Sequence, residues 1–402
     1  MAGICVPAMF LRRKNMIIKN AKIFTMDNGR VIENGTVVID DGKISYVGEA
    51  TQNENGHEVI DAKGGILTPG FIDAHTHLGI IEDSISFEGD DLNEETSPVT
   101  PQLSAVDGIN PFDICFADAY RAGVTCVCTG PGSANPVSGM GALIKTYGKR
   151  VESMTVAAPV SMKFALGENP KSVYHGKSEA PQTRLATAAL IKEALMKAKK
   201  YADALNEYKN DPDNCDEPEY DDKNEALSPV VSGQLPAHFH AHRADDIFTA
   251  VRIAKQFSLK YTIVHCTEGY LAADELAKEG ISAILGPNMT DRSKPELKNL
   301  SFENPKILNE HGILFSICTD HPETPIQYLP LCAALAHKNG LPYMSALESI
   351  TCNSAKILSV IDRIGMIKEG MDADLVLFDN DPLDIYSNVI KTVIGGKVVY
   401  ER

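Results

Sequence analysis

Gly65-Ile66-Leu67-Thr68-Pro69-Gly70-Phe71-Ile72-Asp73-Ala74-His75-Thr76-His77 decides how the rest of the chain is read. The run is apolar almost to its end, and Gly70 to His75 reads as a buried strand. Side chains alternate across a strand, so His75 and His77 point to one side. Two imidazoles on one face at a strand's end can hold one metal ion from a rigid frame. An isolated His-x-His pair is more often a pair of satisfied core histidines; the surrounding chain turns this one toward metal binding.

Outward from that stretch, strands and helices alternate. Candidate strands are Gly70–His75, Val124–Thr129, Ala142–Thr146, Val160–Ala165, Ala237–His242, Thr262–His265, Ser282–Leu285 and Leu314–Thr319. Eight strands with crossover helices close a TIM (β/α)8 barrel, so the spacing predicts an α/β fold with a barrel over residues 69–359. Ala244–Phe257 carries Ile247, Val251, Ala254 and Phe257 on one helical stripe. Ser345 reads as an N-cap for a helix over Ala346–Leu358, with Glu348 as its capping-box partner. Residues 166–235 are far longer than an ordinary βα connection and read as an insertion built on a helix over Thr183–Asn206.

Both chain ends have another style. Ile17–Phe24, Thr36–Asp40 and Ile44–Val47 are short strands separated by Asp27-Asn28-Gly29 and Asp40-Asp41-Gly42 turns. Asp374–Phe378, Val389–Val393 and Lys397–Tyr400 repeat that pattern. Neither end alone has enough apolar positions for a core. Packed together, residues 16–68 and 360–402 are expected to make one small β-sandwich domain. Residues 1–15 read as a loose extension before a natural start at Met16.

The chain has 402 residues, 44% hydrophobic and 23% charged, which suits a globular protein with more than one domain. No apolar run reaches membrane-spanning length, and Arg12-Arg13-Lys14 follows the short Ile4–Leu11 run, the reverse of a secretory signal. A cytoplasmic protein is expected. Nine cysteines without a CxxC pair read as reduced, mostly buried thiols, with Cys126 and Cys128 as core residues. A formal net charge of −16 argues against nucleic acid and anionic membranes as partners. Part of it lies in Asp211–Asp222, where seven of twelve residues are acidic, a solvated surface loop.

In a barrel, reactive groups gather where strands end. His75 and His77 end the first strand, Lys163 lies late in the fourth, and His238, His240 and His242 alternate along the fifth. His265 ends the sixth and Asp320 follows the eighth. Imidazoles, a carboxylate and a lysine able to carry a carbamate suit zinc or a similar divalent ion.

These motifs resemble the amidohydrolase superfamily, close to its imidazolonepropionase-like and Xaa-Pro dipeptidase-like branches. Leu67–His77 resembles the first-strand motif, Gly365–Val376 the segment leading back to the sandwich, and Val264–Gly269 the sixth-strand histidine motif of the dipeptidase-like branch. The resemblance implies a metal-dependent hydrolase of a C–N bond, a small-molecule substrate and a homo-oligomer. It implies that His75, His77, His240, His265 and Asp320 are metal ligands, with zinc expected and iron or manganese as alternatives. Asp320 would be the general base, and His265 or His242 would steady the oxyanion. His242 would face substrate, and His238 would be a core histidine. Lys163 is open between a carboxylated lysine bridging two ions and a cation that binds substrate beside one ion. Glu168 departs from the dipeptidase-like continuation after that lysine.

One ion with a free Lys163 favours opening of a cyclic amide, whereas two ions with a modified Lys163 favour a dipeptidase. A deaminase needs a glutamate near the fifth strand, and His238–Asp246 contains none. A catalytically silent metal-binding scaffold is the rival outside the enzymes. Among loop residues, Arg292 is a candidate clasp for a substrate carboxylate, with Tyr147, Arg243 and His321 as further substrate contacts. The Gly- and Pro-rich stretch Thr129–Pro136 reads chiefly as turn chemistry.

Overall fold

The computed structural model describes residues 15–49, 52–83 and 86–402. The extension expected over 1–15 lies outside them, apart from Asn15. Five strands open the chain: β1 (Met16–Phe24), β2 (Val31–Asp40), β3 (Lys43–Gly48), β4 (Glu58–Asp61) and β5 (Ile66–Pro69). Eight follow: β6 (Phe71–Thr76), β7 (Val124–Thr129), β8 (Val137–Lys145), β9 (Thr155–Ala165), β10 (Ala237–Ala241), β11 (Tyr261–His265), β12 (Ser282–Leu285) and β13 (Leu314–Ile317). Three close it: β14 (Leu375–Phe378), β15 (Val389–Ile394) and β16 (Lys397–Glu401).

β5 and β14 run antiparallel with Thr68 opposite Val376, which joins both chain ends in one sheet. Its order is β16-β15-β14-β5-β1-β2-β3, with β4 also on β1. The sheet has its own core of Ile18, Ile23, Val37, Ile39, Leu67, Leu375 and Val393. Each end supplies part of that core, so neither end is expected to fold without the other.

The second sheet runs β6 to β13 in chain order and is nearly closed. Its neighbours are parallel except at β8, which is antiparallel to both β7 and β9. This corrects the expectation of eight parallel strands. Only Gly130–Pro136 joins β7 to β8, and a parallel crossover needs a dozen residues or more. The barrel closes beyond β13: Asp320 N–H donates to the His75 carbonyl at 3.2 Å and His77 N–H donates to the His321 carbonyl at 2.9 Å. Ile72, Ala74, Cys126, Cys128, Val264, Ile284 and Cys318 pack the interior, joined by Ala355, Leu358 and Ile364 from the segment after β13. Cys126 and Cys128 are thus core residues, and all eight described cysteines are free thiols.

The helix over Ala244–Phe257 forms as read, and Thr183 caps the helix Arg184–Asn210 by accepting from Ala186 N–H. The helix expected over Ala346–Leu358 is instead two, Tyr343–Ser349 and Cys352–Ile357, and Ser345 lies inside the first. The break turns the Ile350 carbonyl to accept from Ile72 N–H at 2.8 Å, supplying β6 with a partner that β13 does not provide. Three helices, Glu168–Gly176, Arg184–Asn210 and Asp222–Val231, fill the connection from β9 to β10. Among the described residues, no helix is long and apolar enough to cross a membrane.

A charge cluster joins barrel and end sheet. Lys145 at the end of β8 meets Asp374 and also Asp372, the latter at 3.2 Å. Arg363 and Lys43 reach the same Asp372. Lys145→Met would leave the buried Asp374 without its cation while Asp372 keeps Lys43 and Arg363, and removing one partner of a buried pair costs about 3–5 kcal/mol. Denaturant unfolding is expected to show a loss of that order, partly recovered when Asp374→Asn is added. An unchanged midpoint would mean that the cluster contributes nothing to stability.

A candidate metal centre at the barrel mouth

β6 delivers His75 and His77 to one point. Both Nε2 atoms lie against Asp320 Oδ1, at 3.3 and 3.4 Å. Asp320 reaches them from the turn after β13, and its φ of +55° is in the left-handed region that side chains disfavour. His265 at the end of β11 shares that feature, with φ +72°. Local backbone strain of this kind, about 1–3 kcal/mol per residue, persists where surrounding structure holds it and clusters at functional sites. Here the backbone bond from Asp320 to His75 does the holding.

The imidazoles are oriented by carbonyls, which only accept. His77 Nδ1 donates to the Gly130 carbonyl at 2.7 Å, and His265 Nδ1 donates to the Gly286 carbonyl at 2.7 Å. Each ring therefore keeps its lone pair on Nε2. Burial pushes His75 down to about 3, with the Lys163 charge adding to the effect, and pushes His242 down to about 4. Burial holds His240 and His265 well below their ordinary value. Neutral imidazoles are the form that binds metal. Burial disfavours charge on Asp320 too, but His265, His75 and His77 outweigh it and keep the carboxyl well below the usual range. His75, His265 and Asp320 offer ligand atoms within 4.8 Å of one another.

The donor set fits a divalent ion of the zinc type, with imidazole nitrogens and one carboxylate. The best sign of fit is that Asp320 Oδ1 and His240 Nε2 are buried without a hydrogen-bond partner. A buried polar atom left so is costly, and a cation among them removes the cost.

Two supports follow from the backbone. Asp73, fully buried in β6, accepts from His75 N–H and from Thr319 N–H and Oγ–H, tying the strand that carries the histidines to the turn that carries Asp320. Gly286 has φ +145°, and a Cβ there would collide with the Cys318 carbonyl oxygen. Gly286→Ala must therefore shift the carbonyl that orients His265. Its expected effect is about 10- to 100-fold weaker metal binding, read by zinc or cobalt titration. Unchanged affinity would remove His265 from the ligand set.

Lys163 is buried with Nζ 3.1 Å from His75 Nε2, and burial lowers it to about 8 against the opposing Asp320 charge. His240 on β10 and His242 just past its end lie side by side, with Nδ1 on Ser133 Oγ at 2.9 Å and Thr267 Oγ1 at 2.7 Å. Both rings line a cavity of about 280 Å³, so depth does not separate a ligand from a substrate contact as the sequence reading expected. His238 is deeper, its Nε2 unpartnered, and behaves as the expected core residue. His77, His265 and Asp320 line the same cavity, closed by Ile81, Leu92, Val173 and Leu297.

The loop candidates fare differently. Arg292 is exposed, donates to the Leu300 carbonyl and stays out of the cavity wall; Lys294 lines it instead, with Nζ 3.1 Å from Asn169 Oδ1. Tyr147 lies outside the wall, accepting a hydrogen bond from Lys397. The reversed direction of β8 explains this, because its C-terminal end points away from the mouth. Arg243 pairs with Asp245 away from the wall. His321 also stays out of it: its Nδ1 accepts from Ile326 N–H and its carbonyl from His77 N–H, which makes it a support for the ligand strand. Gly132, Ser133 and Ala134 do line the cavity, so the stretch read as turn chemistry contributes wall and a partner for His240. Glu296, buried against the β10 histidines, carried no local signal, because it follows Pro295 in the long connection after β12.

Comparison with known proteins identifies the family of the chain. An amidohydrolase family profile matches residues 66–399. A solved amidohydrolase of Thermotoga maritima MSB8 is 39% identical, covers 96% of this chain and 100% of its own, and superposes with a TM-score of 0.92. Amidohydrolase tasK of Hapsidospora irregularis is 28% identical over 91% of this chain, which spans only 40% of that relative. An imidazolonepropionase of Phocaeicola vulgatus is 27% identical (96% of this chain, 99% of the relative), and a 5'-deoxyadenosine deaminase of Methanosarcina barkeri 25% (96% and 93%). With its profile match, its nearly closed barrel and its histidine–aspartate cluster, the chain belongs to the amidohydrolase family of enzymes that hydrolyse carbon–nitrogen bonds.

Proposed function

We propose that this protein hydrolyses an amide or cyclic-amide C–N bond in a small molecule, in the barrel over residues 69–359, with the end sheet as a small sandwich-like domain buttressing it. The observation that carries the proposal is the approach of His75 and His77 Nε2 to one otherwise unpartnered oxygen of Asp320. A divalent ion held by His75, His77, His265 and Asp320, zinc first and iron or manganese as alternatives, would lower the pKa of a water and polarise the substrate carbonyl.

The chain's own groups supply the rest. Asp320 is held ionised, so it can accept a proton from the attacking water and return it to the leaving nitrogen. His265 and His242 flank the cavity and are placed to steady an oxyanion. Lys163, too far inside to line the cavity, supports the His75 end of the site. Lys294 at the rim is the cation available to a substrate carboxylate, the role first expected of Arg292. At about 280 Å³ the cavity lies at the small end of ligand pockets, which suits a single ring or a dipeptide.

A deaminase reading has one observation in its favour: Glu296 brings to the β10 histidines the carboxylate that neighbouring sequence lacks. One panel separates the readings: a five-membered cyclic amide, Xaa-Pro and other dipeptides, and an aminopurine nucleoside. Ring opening or a new amine from the first two is expected. Ammonia from the nucleoside alone would favour deamination. Tight metal without turnover on any member would favour a silent scaffold.

A further inference from the structure

Among the described residues, Lys294 is the only lysine or arginine in the cavity wall, and the wall's acidic groups, Asp320 and Glu323, sit in the turn after β13. Lys294 keeps a third of its side chain exposed. Its Nζ donates to Asn169 Oδ1 at 3.1 Å, in the helix Glu168–Gly176, and lies 4.0 Å from Glu296 Oε1. Glu296 is 1% exposed. Its Oε2 accepts from Glu168 N–H at 3.1 Å, one residue before Asn169. Gly167, with φ +83°, permits that approach, since a Cβ there would lie 2.9 Å from Glu296 Oε2. Its Oε1 has no hydrogen-bond partner. It faces the Lys294 ammonium, and also His240 Nε2 at 3.9 Å and His242 Nε2 at 3.8 Å.

We propose that Glu296 is a positioning residue that holds the Lys294 ammonium at the cavity rim, and that the ammonium selects substrates carrying a carboxylate close to the scissile C–N bond. This rests on the reading of the cavity as a hydrolase site and narrows its substrate class. A lysine that served only to neutralise Glu296 would close on it to about 2.7–2.9 Å. Lys294 stops at 4.0 Å, too far to hydrogen-bond, and donates to Asn169 instead. Glu296 therefore holds the ammonium by charge alone, which burial leaves little screened. An ammonium has three N–H donors, so that hold leaves donors for a ligand. Asn169 and Ser172 in the same wall add an amide and a hydroxyl. The 3.9 Å and 4.0 Å separations meet at Oε1, so the ammonium lies within their combined length of His240 Nε2. One small molecule covers that span. Glu296 itself is absent from the cavity wall, so it acts on substrate through Lys294.

The test uses zinc-loaded full-length protein and matched substrate pairs: an Xaa-Pro dipeptide with its C-terminal carboxamide, and a carboxylated five-membered cyclic amide with its carboxamide. Wild type is expected to favour the carboxylate about 10- to 100-fold in kcat/KM, the range of one charge-assisted contact. K294M should bring the pair near parity, and K294R should keep most of the preference. In E296Q an NH2 can face the ammonium, donor against donor, and displace it. KM for the carboxylated member is then expected to rise about 3- to 10-fold with a smaller change in kcat, at wild-type zinc content. Equal kcat/KM on both members in wild type, or an undiminished preference in K294M, overturns selection by Lys294 and leaves the hydrolase reading standing. An unchanged KM in E296Q, or loss of its zinc, overturns the positioning role. No turnover of any member overturns the hydrolase reading and this inference with it. If E296Q does not fold, Glu296→Asp, which withdraws the carboxylate by one methylene, is read in the same way: a raised KM is expected, and an unchanged one overturns the positioning role.

Discussion

Asp320→Asn is expected to lower kcat about 10²- to 10⁴-fold, the usual contribution of a general base, with a smaller loss of metal affinity. The asymmetry follows from the geometry. The amide keeps an oxygen near His75 and His77 Nε2 but cannot take the proton of an attacking water. His75→Ala should show the opposite balance, with weaker metal binding and activity recoverable at high metal concentration. Steady-state rates at saturating metal, paired with a metal-binding isotherm, check both. Full hydrolysis by Asp320→Asn at saturating metal would assign the base elsewhere.

The metal-free protein is expected to lose stability steeply as pH falls from 6.5 toward 4. Burial pushes His75 and His238 down to about 3 and His242 and His321 to about 4, and holds His240 and His265 well below 6.5. A depressed histidine binds its proton in the unfolded chain before the folded one, so folding stability rises with pH across this window. Each such group contributes up to about 1.4 kcal/mol per pH unit. Asp73, which burial raises to about 7, works in the opposite sense over the same window, one group against these six. Metal holds the ligand histidines unprotonated and should shift the transition to lower pH. His238→Leu removes one contributor outside the ligand set, so it should flatten the slope by about one proton while leaving metal content unchanged. Thermal melts at pH 7 and 5, with and without zinc, read all of this. Equal melting temperatures of the metal-free protein at both pH values would contradict it.

Much of this was legible in the sequence because it is local. The apolar run into His75-Thr76-His77, the alternation of His238, His240 and His242, and His265 and Asp320 at strand ends each need only strand periodicity to be placed. The amphipathic stripe of Ala244–Phe257 was equally local. The misses came from contacts between distant segments. The direction of β8 depends on loop length against crossover length, and reversing it carried Tyr147 to the wrong end. The break at Ile350 exists because Ile72 lacks a strand partner, which no helix propensity encodes. Arg292 and Lys294 are two residues apart in one irregular loop, and only tertiary packing decides which reaches the cavity. Glu296 lies far along the chain from His240 and adjacent to it in space.

The most direct test is the rate of amide hydrolysis on the cyclic-amide and dipeptide panel before chelation, after it, and after zinc is restored. The arrangement of His75, His77, His265 and Asp320 predicts turnover that disappears in the stripped protein and returns with about one to two equivalents of metal. Turnover that continues undiminished in protein shown to be free of metal would contradict it.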